Sequence, residues 1–89
     1  MQLLTTDASV LNEIAAIAKK KEIQPMRWID FCSLCNDMWF RGELTDEQSE
    51  IIKDWAWKIK GFPDSEEYKR AEQIFGVLKY AYENRELSW

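Results

Sequence analysis

The sequence predicts an all-α protein, a compact four-helix bundle folded as a single domain. Two observations carry this expectation. Glycine and proline are scarce, with 3 and 2 residues, and the first of either is Pro25, so long helices form easily and tight turns are few. Apolar residues also recur at three- and four-residue spacing through four segments. The chain has 89 residues, 46% of them hydrophobic, which suffices for one core. The links between the segments are short, so mostly antiparallel neighbours are expected.

The first helix is expected over residues 8–21. Thr6 or Asp7 can accept from an orphan backbone N–H at its start. Val10, Leu11, Ile14, Ile17 and Ala18 share one face. Lys19, Lys20 and Lys21 fall in the last turn, where the helix dipole favours cations.

The second helix is expected over residues 26–40, opened by Pro25 and closed at Gly42. Trp28, Phe31, Cys32, Leu34, Cys35, Met38 and Trp39 cover well over a third of its circumference at about 100° per residue. Asp30, Ser33, Asp37 and Arg41 leave only a narrow polar strip. Ile29 and Phe40 lie off the apolar stripe. A helix apolar on most sides belongs in the middle of a bundle, so this one is expected to be central.

The third helix is expected over residues 46–60. Thr45 and Gln48 form a capping box, and Asp46 and Glu47 sit at the positive end of the dipole. Ile51, Ile52, Trp55, Ala56 and Ile59 make the inward face, and Gly61 ends the helix. Pro63 separates it from the fourth, expected over residues 65–84. Asp64 with Glu67 offers a second capping box. Tyr68, Ala71, Ile74, Phe75, Leu78, Ala81 and Tyr82 line its inward face, which Trp89 would extend.

Composition narrows the chemistry. Histidine is absent, which removes the commonest general base and metal ligand. The net charge is −4, against the basic surplus of nucleic-acid binders. No apolar run approaches the roughly 20 residues needed to cross a bilayer. The opening "MQLLTTDASV" lacks a basic segment followed by an apolar one, so it does not read as a secretory signal. A cytoplasmic protein with reduced thiols is expected.

The motifs that come near to chemistry fall short. Cys32 and Cys35 form a C-x-x-C pair, but two turns inside a helix, among aromatic residues, with no strand before it. A redox pair needs a depressed thiol pKa, and a structural zinc needs four ligands. Core packing is the expected role, with thiol-redox or metal binding as the alternative. Residues 37–48 imitate a calcium loop at Asp37, Gly42 and Leu44, but Trp39, Arg41 and Gln48 occupy ligand positions. The second and third helices imitate a helix-turn-helix, but Asp46, Glu47 and Glu50 would repel the DNA backbone. A nucleic-acid-binding regulator is a further alternative, through Lys19 to Lys21 with Lys53, Lys58 and Lys60. Carboxylates gather at helix starts, where capping explains them. No catalytic residue, cofactor or metal site is expected.

What stands out is aromatic residues off the inward faces. Among five tryptophans, Trp28, Trp39 and Trp55 fall on inward faces. Trp57 lies about 200° from Trp55 round the helix, with Glu50, Lys53 and Lys60 as same-face neighbours. Tyr80 likewise leaves the inward face of the fourth helix. A large aromatic ring framed by charges fits an interface anchor with a polar rim. The functional expectation is a non-enzymatic protein-binding module, a small adaptor or an inhibitor or regulator docking on a larger protein complex. By analogy, small inhibitors encoded by phages and mobile elements share this profile. The candidate partner-binding residues are Trp57, Lys53, Lys60 and Glu50, then Tyr80. A homodimer is a further possibility.

Overall fold

The computed structural model describes residues 4–84 of the chain; Trp89 lies outside them. It contains four helices, α1 (Ala8–Lys20), α2 (Trp28–Phe40), α3 (Asp46–Lys60) and α4 (Glu66–Glu83). Together they make an all-α four-helix bundle around one core. Among the described residues, no helix is long and apolar enough to cross a membrane.

Local chemistry sets the helix ends. Asp7 caps α1, its Oδ1 accepting from Ser9 N at 2.9 Å. Thr45 caps α3 through the full box: Gln48 N donates to Thr45 Oγ1 at 3.0 Å, and Thr45 N donates to Gln48 Oε1 at 2.9 Å. Two starts differ from expectation. α2 begins at Trp28, with Arg27 as a cap that makes no side-chain bond. The chain before it is held extended, because Met26 N donates to the Glu72 carbonyl of α4 at 2.9 Å. At α4 the cap is Ser65 rather than Asp64. Asp64 takes φ +67°, which turns the chain so that Ser65 Oγ accepts from Tyr68 N at 3.1 Å.

The central helix is α4, not α2. α4 lies close to all three others, whereas α1 lies close only to α4. Ile74, Phe75, Gly76, Val77 and Leu78 are buried in succession. Five consecutive residues at about 100° each run all the way round a helix, so the middle of α4 is enclosed on every side. α2 is flanked by α3 and α4, and it buries only Phe31, Cys35 and Met38. Phe75 is the hinge of the core. It stacks on Phe31 at 4.6 Å between ring centroids and meets Trp55 edge-on at 6.5 Å.

The neighbours are not all antiparallel. α2 and α3 form an antiparallel hairpin, with contacts Trp28–Trp57, Asn36–Lys53 and Trp39–Asp46 in opposed order. α3 and α4 are also antiparallel, through Lys60–Tyr68 and Trp55–Phe75. α1 instead runs in the same sense as α4, through Asn12–Arg70 and Lys21–Tyr80. α2 shares that sense, through Phe31–Phe75 and Arg41–Tyr82. The segment between α1 and α2 makes this possible by running back along α4. It passes directly over Gly76, where an added Cβ would stand 2.2 Å from the Gln24 carbonyl oxygen. Only glycine permits that approach.

Candidate partner-binding surface

The hairpin of α2 and α3 carries the surface of interest. On α2, Ile29, Ser33, Asn36 and Phe40 follow four- and three-residue steps and form one outward stripe. On α3, Glu50, Lys53, Trp57 and Lys60 form another by the same steps. The two stripes meet, since Lys53 Nζ donates to Asn36 Oδ1 at 2.9 Å. They therefore share one face, two helices wide, on the side of the hairpin away from α1.

Large apolar side chains lie open along this face and its rim. Ile29 is 60% exposed, Trp57 58%, Trp39 46% and Phe40 85%. Trp57 and Ile29 belong to the end where α2 begins, and Trp39 and Phe40 to the end where the hairpin turns. The expectation that Trp39 is an inward residue is overturned. Its ring stays at the rim because its indole N–H donates to the Asp46 carboxylate at the start of α3. Ile51 is likewise 48% exposed instead of inward, because among the described residues no helix lies against that side of α3.

Trp57 is held as well as exposed. Its ring meets Trp28 edge-on at 5.4 Å and 63°. Lys60 lies between three aromatic side chains, its Nζ 4.3 Å from the centre of Trp57, 5.1 Å from Trp28 and 6.0 Å from Tyr68. A cation over ring faces is attracted by their quadrupoles, at roughly 0.5–1 kcal/mol for an exposed pair. The ammonium thus ties the ends of α2 and α3 to the start of α4. Glu50 and Lys53 line a shallow groove of about 260 Å³ with Asn36, Trp39, Asp46 and Ser49.

Four of the five expected residues, Trp57, Lys53, Lys60 and Glu50, fall on this one face. Tyr80 does not join them. It is 37% exposed and packs with Lys21, whose Nζ lies 5.5 Å from its ring centre. It stands twelve residues along α4 from Tyr68, about 18 Å at 1.5 Å per residue. Sequence reasoning left Trp39 out of the surface and placed Ile29 and Phe40 only off the apolar stripe of α2. The step of eleven from Ile29 to Phe40, three helical turns, was the signal that they form a stripe.

Of the two cysteines, only Cys35 belongs to the core. Cys35 is fully buried and Cys32 partly so. Burial pushes the Cys35 thiol up to about 12, with Cys32 adding to the rise. Burial also raises Cys32, and nearby Lys53 opposes both shifts by less. Both shifts run opposite to the activation of a nucleophilic thiol. Among the described residues, no three His, Cys, Asp or Glu side chains are placed to share a metal ion. Lys19 lines a separate groove of about 470 Å³ between α1 and α4, with Asn12, Arg70 and Gln73.

No protein-family model, curated protein or solved structure matches this chain.

Proposed function

We propose that this chain is a non-enzymatic protein-binding module of the cytoplasm. It acts as a small adaptor, or as an inhibitor or regulator, by docking the outer α2–α3 face on a larger protein. One observation carries the reading: Ile29, Phe40 and Trp57 are open to solvent together on a face that, among the described residues, no element covers. Three such side chains on a chain of 89 residues expose apolar area that a partner can bury. The anchors are also pre-positioned. Trp57 rests against Trp28 under Lys60, and Trp39 is bonded to Asp46. Side chains already ordered lose little entropy on binding, which favours a tight contact over a small area. Lys53, Glu50 and Asn36 supply polar groups between the apolar ends.

The test is affinity capture with the full chain as bait, beside Trp57→Ala, Phe40→Ala and a control on the far side, Gln73→Ala. A hot-spot anchor is worth about 2 kcal/mol or more, so Trp57→Ala should weaken its partner roughly thirtyfold. The control should bind as the wild type does. Equal capture by all four baits would refute the reading.

A further inference from the structure

We propose that the outer α2–α3 face also seats a second copy of this chain, so that the free protein forms a two-fold dimer joined hairpin to hairpin. The proposal rests on the reading of this face as a binding surface and names one occupant of it.

Charge selects the arrangement. Several charges on the hairpin are neutralised locally, in Arg27–Asp30 at 3.1 Å, Lys58–Asp54 at 3.0 Å and Arg41–Glu43 at 3.6 Å. What remains is polarised along the hairpin. Asp37, Asp46, Glu47 and Glu50 lie toward its turn, and Lys53 and Lys60 toward its open end. A second copy laid in the same direction would set like charge on like. A copy turned by a two-fold axis across the hairpin sets the acidic turn over the basic end, twice.

The apolar groups obey the same axis. Ile29 and Phe40 are equally far along α2 from a point between Leu34 and Cys35. Glu50 and Lys53 are equally far along α3 from a point between Ile51 and Ile52. The cross-hairpin contacts Trp28–Trp57 and Trp39–Asp46 bracket both points, which puts them side by side across the hairpin. With Asn36–Lys53 included, the contacts bring them into agreement within about one to three residues, or ~1.5–4.5 Å. One axis there places Ile29 of either copy opposite Phe40 of the other. It also brings Glu50 opposite Lys53 of the second copy, and Trp57 opposite the Trp39–Asp46 pair. Apolar groups meet apolar groups, and the two central charges meet their opposites.

Area sets the strength. Helices of 13 and 15 residues are about 20 Å long. Two side by side span on the order of 20 Å across, so each copy contributes on the order of 400 Å² in projection. That is about 800 Å² in total, under the roughly 1,200 Å² of stable interfaces and in the range of weak, transient ones, so dimer and monomer exchange readily. Self-association then covers the docking face until a larger partner displaces the second copy.

The experiment is sedimentation equilibrium of the full chain from about 1 to about 500 µM, a range that brackets a micromolar dissociation constant. Mass should climb from monomer toward dimer. Glu50→Lys and Lys53→Glu should each weaken the dimer by about tenfold, because each change acts twice in an isologous contact. The double swap Glu50→Lys with Lys53→Glu should restore it, with helicity by circular dichroism unchanged throughout. A monomer across the whole range overturns the proposal, as does a dimer indifferent to both single reversals or a double swap that stays weak. Capture by the Trp57→Ala bait is read separately. If the wild type is monomeric while that bait loses its partner, the dimer is refuted and the docking function stands. A dimer that follows the charge swap, with capture unaffected, leaves the dimer standing and refutes docking at Trp57.

Discussion

Replacing Gly76 with alanine should destabilise the fold, although alanine is the better helix former. Gly76 lies in the middle of α4. On intrinsic propensity alone, Gly→Ala in a helix interior gains about 0.8–1 kcal/mol. The tertiary contact opposes that gain. The new Cβ would stand 2.2 Å from Gln24 O, 3.2 Å from its carbonyl carbon and 3.3 Å from Pro25 Cα. These are backbone atoms that cannot rotate away. The segment is tied down on both sides, by Ile23 N to Ala18 O at 2.8 Å and by Met26 N to Glu72 O at 2.9 Å. Clearing the overlap requires a shift of about 1 Å, at roughly 1–3 kcal/mol for an overpacked site. If the Met26–Glu72 bond is lost as well, about 1 kcal/mol is added. With that bond lost the net loss is about 1–3 kcal/mol, and with it kept about 0–2 kcal/mol, at a fall in Tm of roughly 4–8 °C per kcal/mol for a domain of this size. Urea and thermal unfolding followed by circular dichroism measure it. Gly42→Ala is the control, because Gly42 has φ +79° but no atom within 4 Å of an added Cβ. Only the backbone term acts there, about 1–2 kcal/mol. A Gly76→Ala variant more stable than the wild type would refute the close approach of the α1–α2 segment to α4.

Two further outcomes follow from the core. Cys35 is pushed up to about 12 by burial, from an ordinary value near 9. Between those values the unfolded chain has released the thiol proton and the folded chain retains it. The folded state therefore binds more protons, and stability is full below about pH 9 and declines as pH rises toward about 12. Urea unfolding across that window should show a shallower decline in Cys35→Ala, and identical slopes would remove Cys35 as the cause. Trp55 Nε1 donates to Thr5 O at 2.8 Å, the bond that joins the N-terminal segment to α3. Trp55→Phe should cost about 1–3 kcal/mol through the lost bond and the smaller ring, with faster amide exchange before α1. Unchanged exchange there would mean that the segment is held by other contacts.

Everything read correctly from the sequence was local. The four helices arise from spacings within a few residues, and the caps at Asp7 and Thr45 involve partners two or three residues away. Trp57 was legible as outward because it sits about 200° from Trp55, an inward residue, on one helix. Ile29 and Phe40 were legible as leaving the inward stripe for the same reason. Periodicity within a helix says which residues share a side, and that much needs no neighbour.

Which sides are covered was decided only by the tertiary arrangement. α2 is the more apolar helix, yet α4 takes the centre, because Gly76 lets the preceding segment lie on it and brings α1 and α2 to opposite flanks. The unbroken run from Ile74 to Leu78 held that information, but an inward face defined by three- and four-residue steps discards it. Lys60 among Trp28, Trp57 and Tyr68 joins residues from three helices, and Lys53 with Asn36 joins two. The hairpin face was therefore half legible. Its residues are outward by their own spacing, but they form one surface only because the antiparallel packing of α2 on α3 sets two stripes side by side.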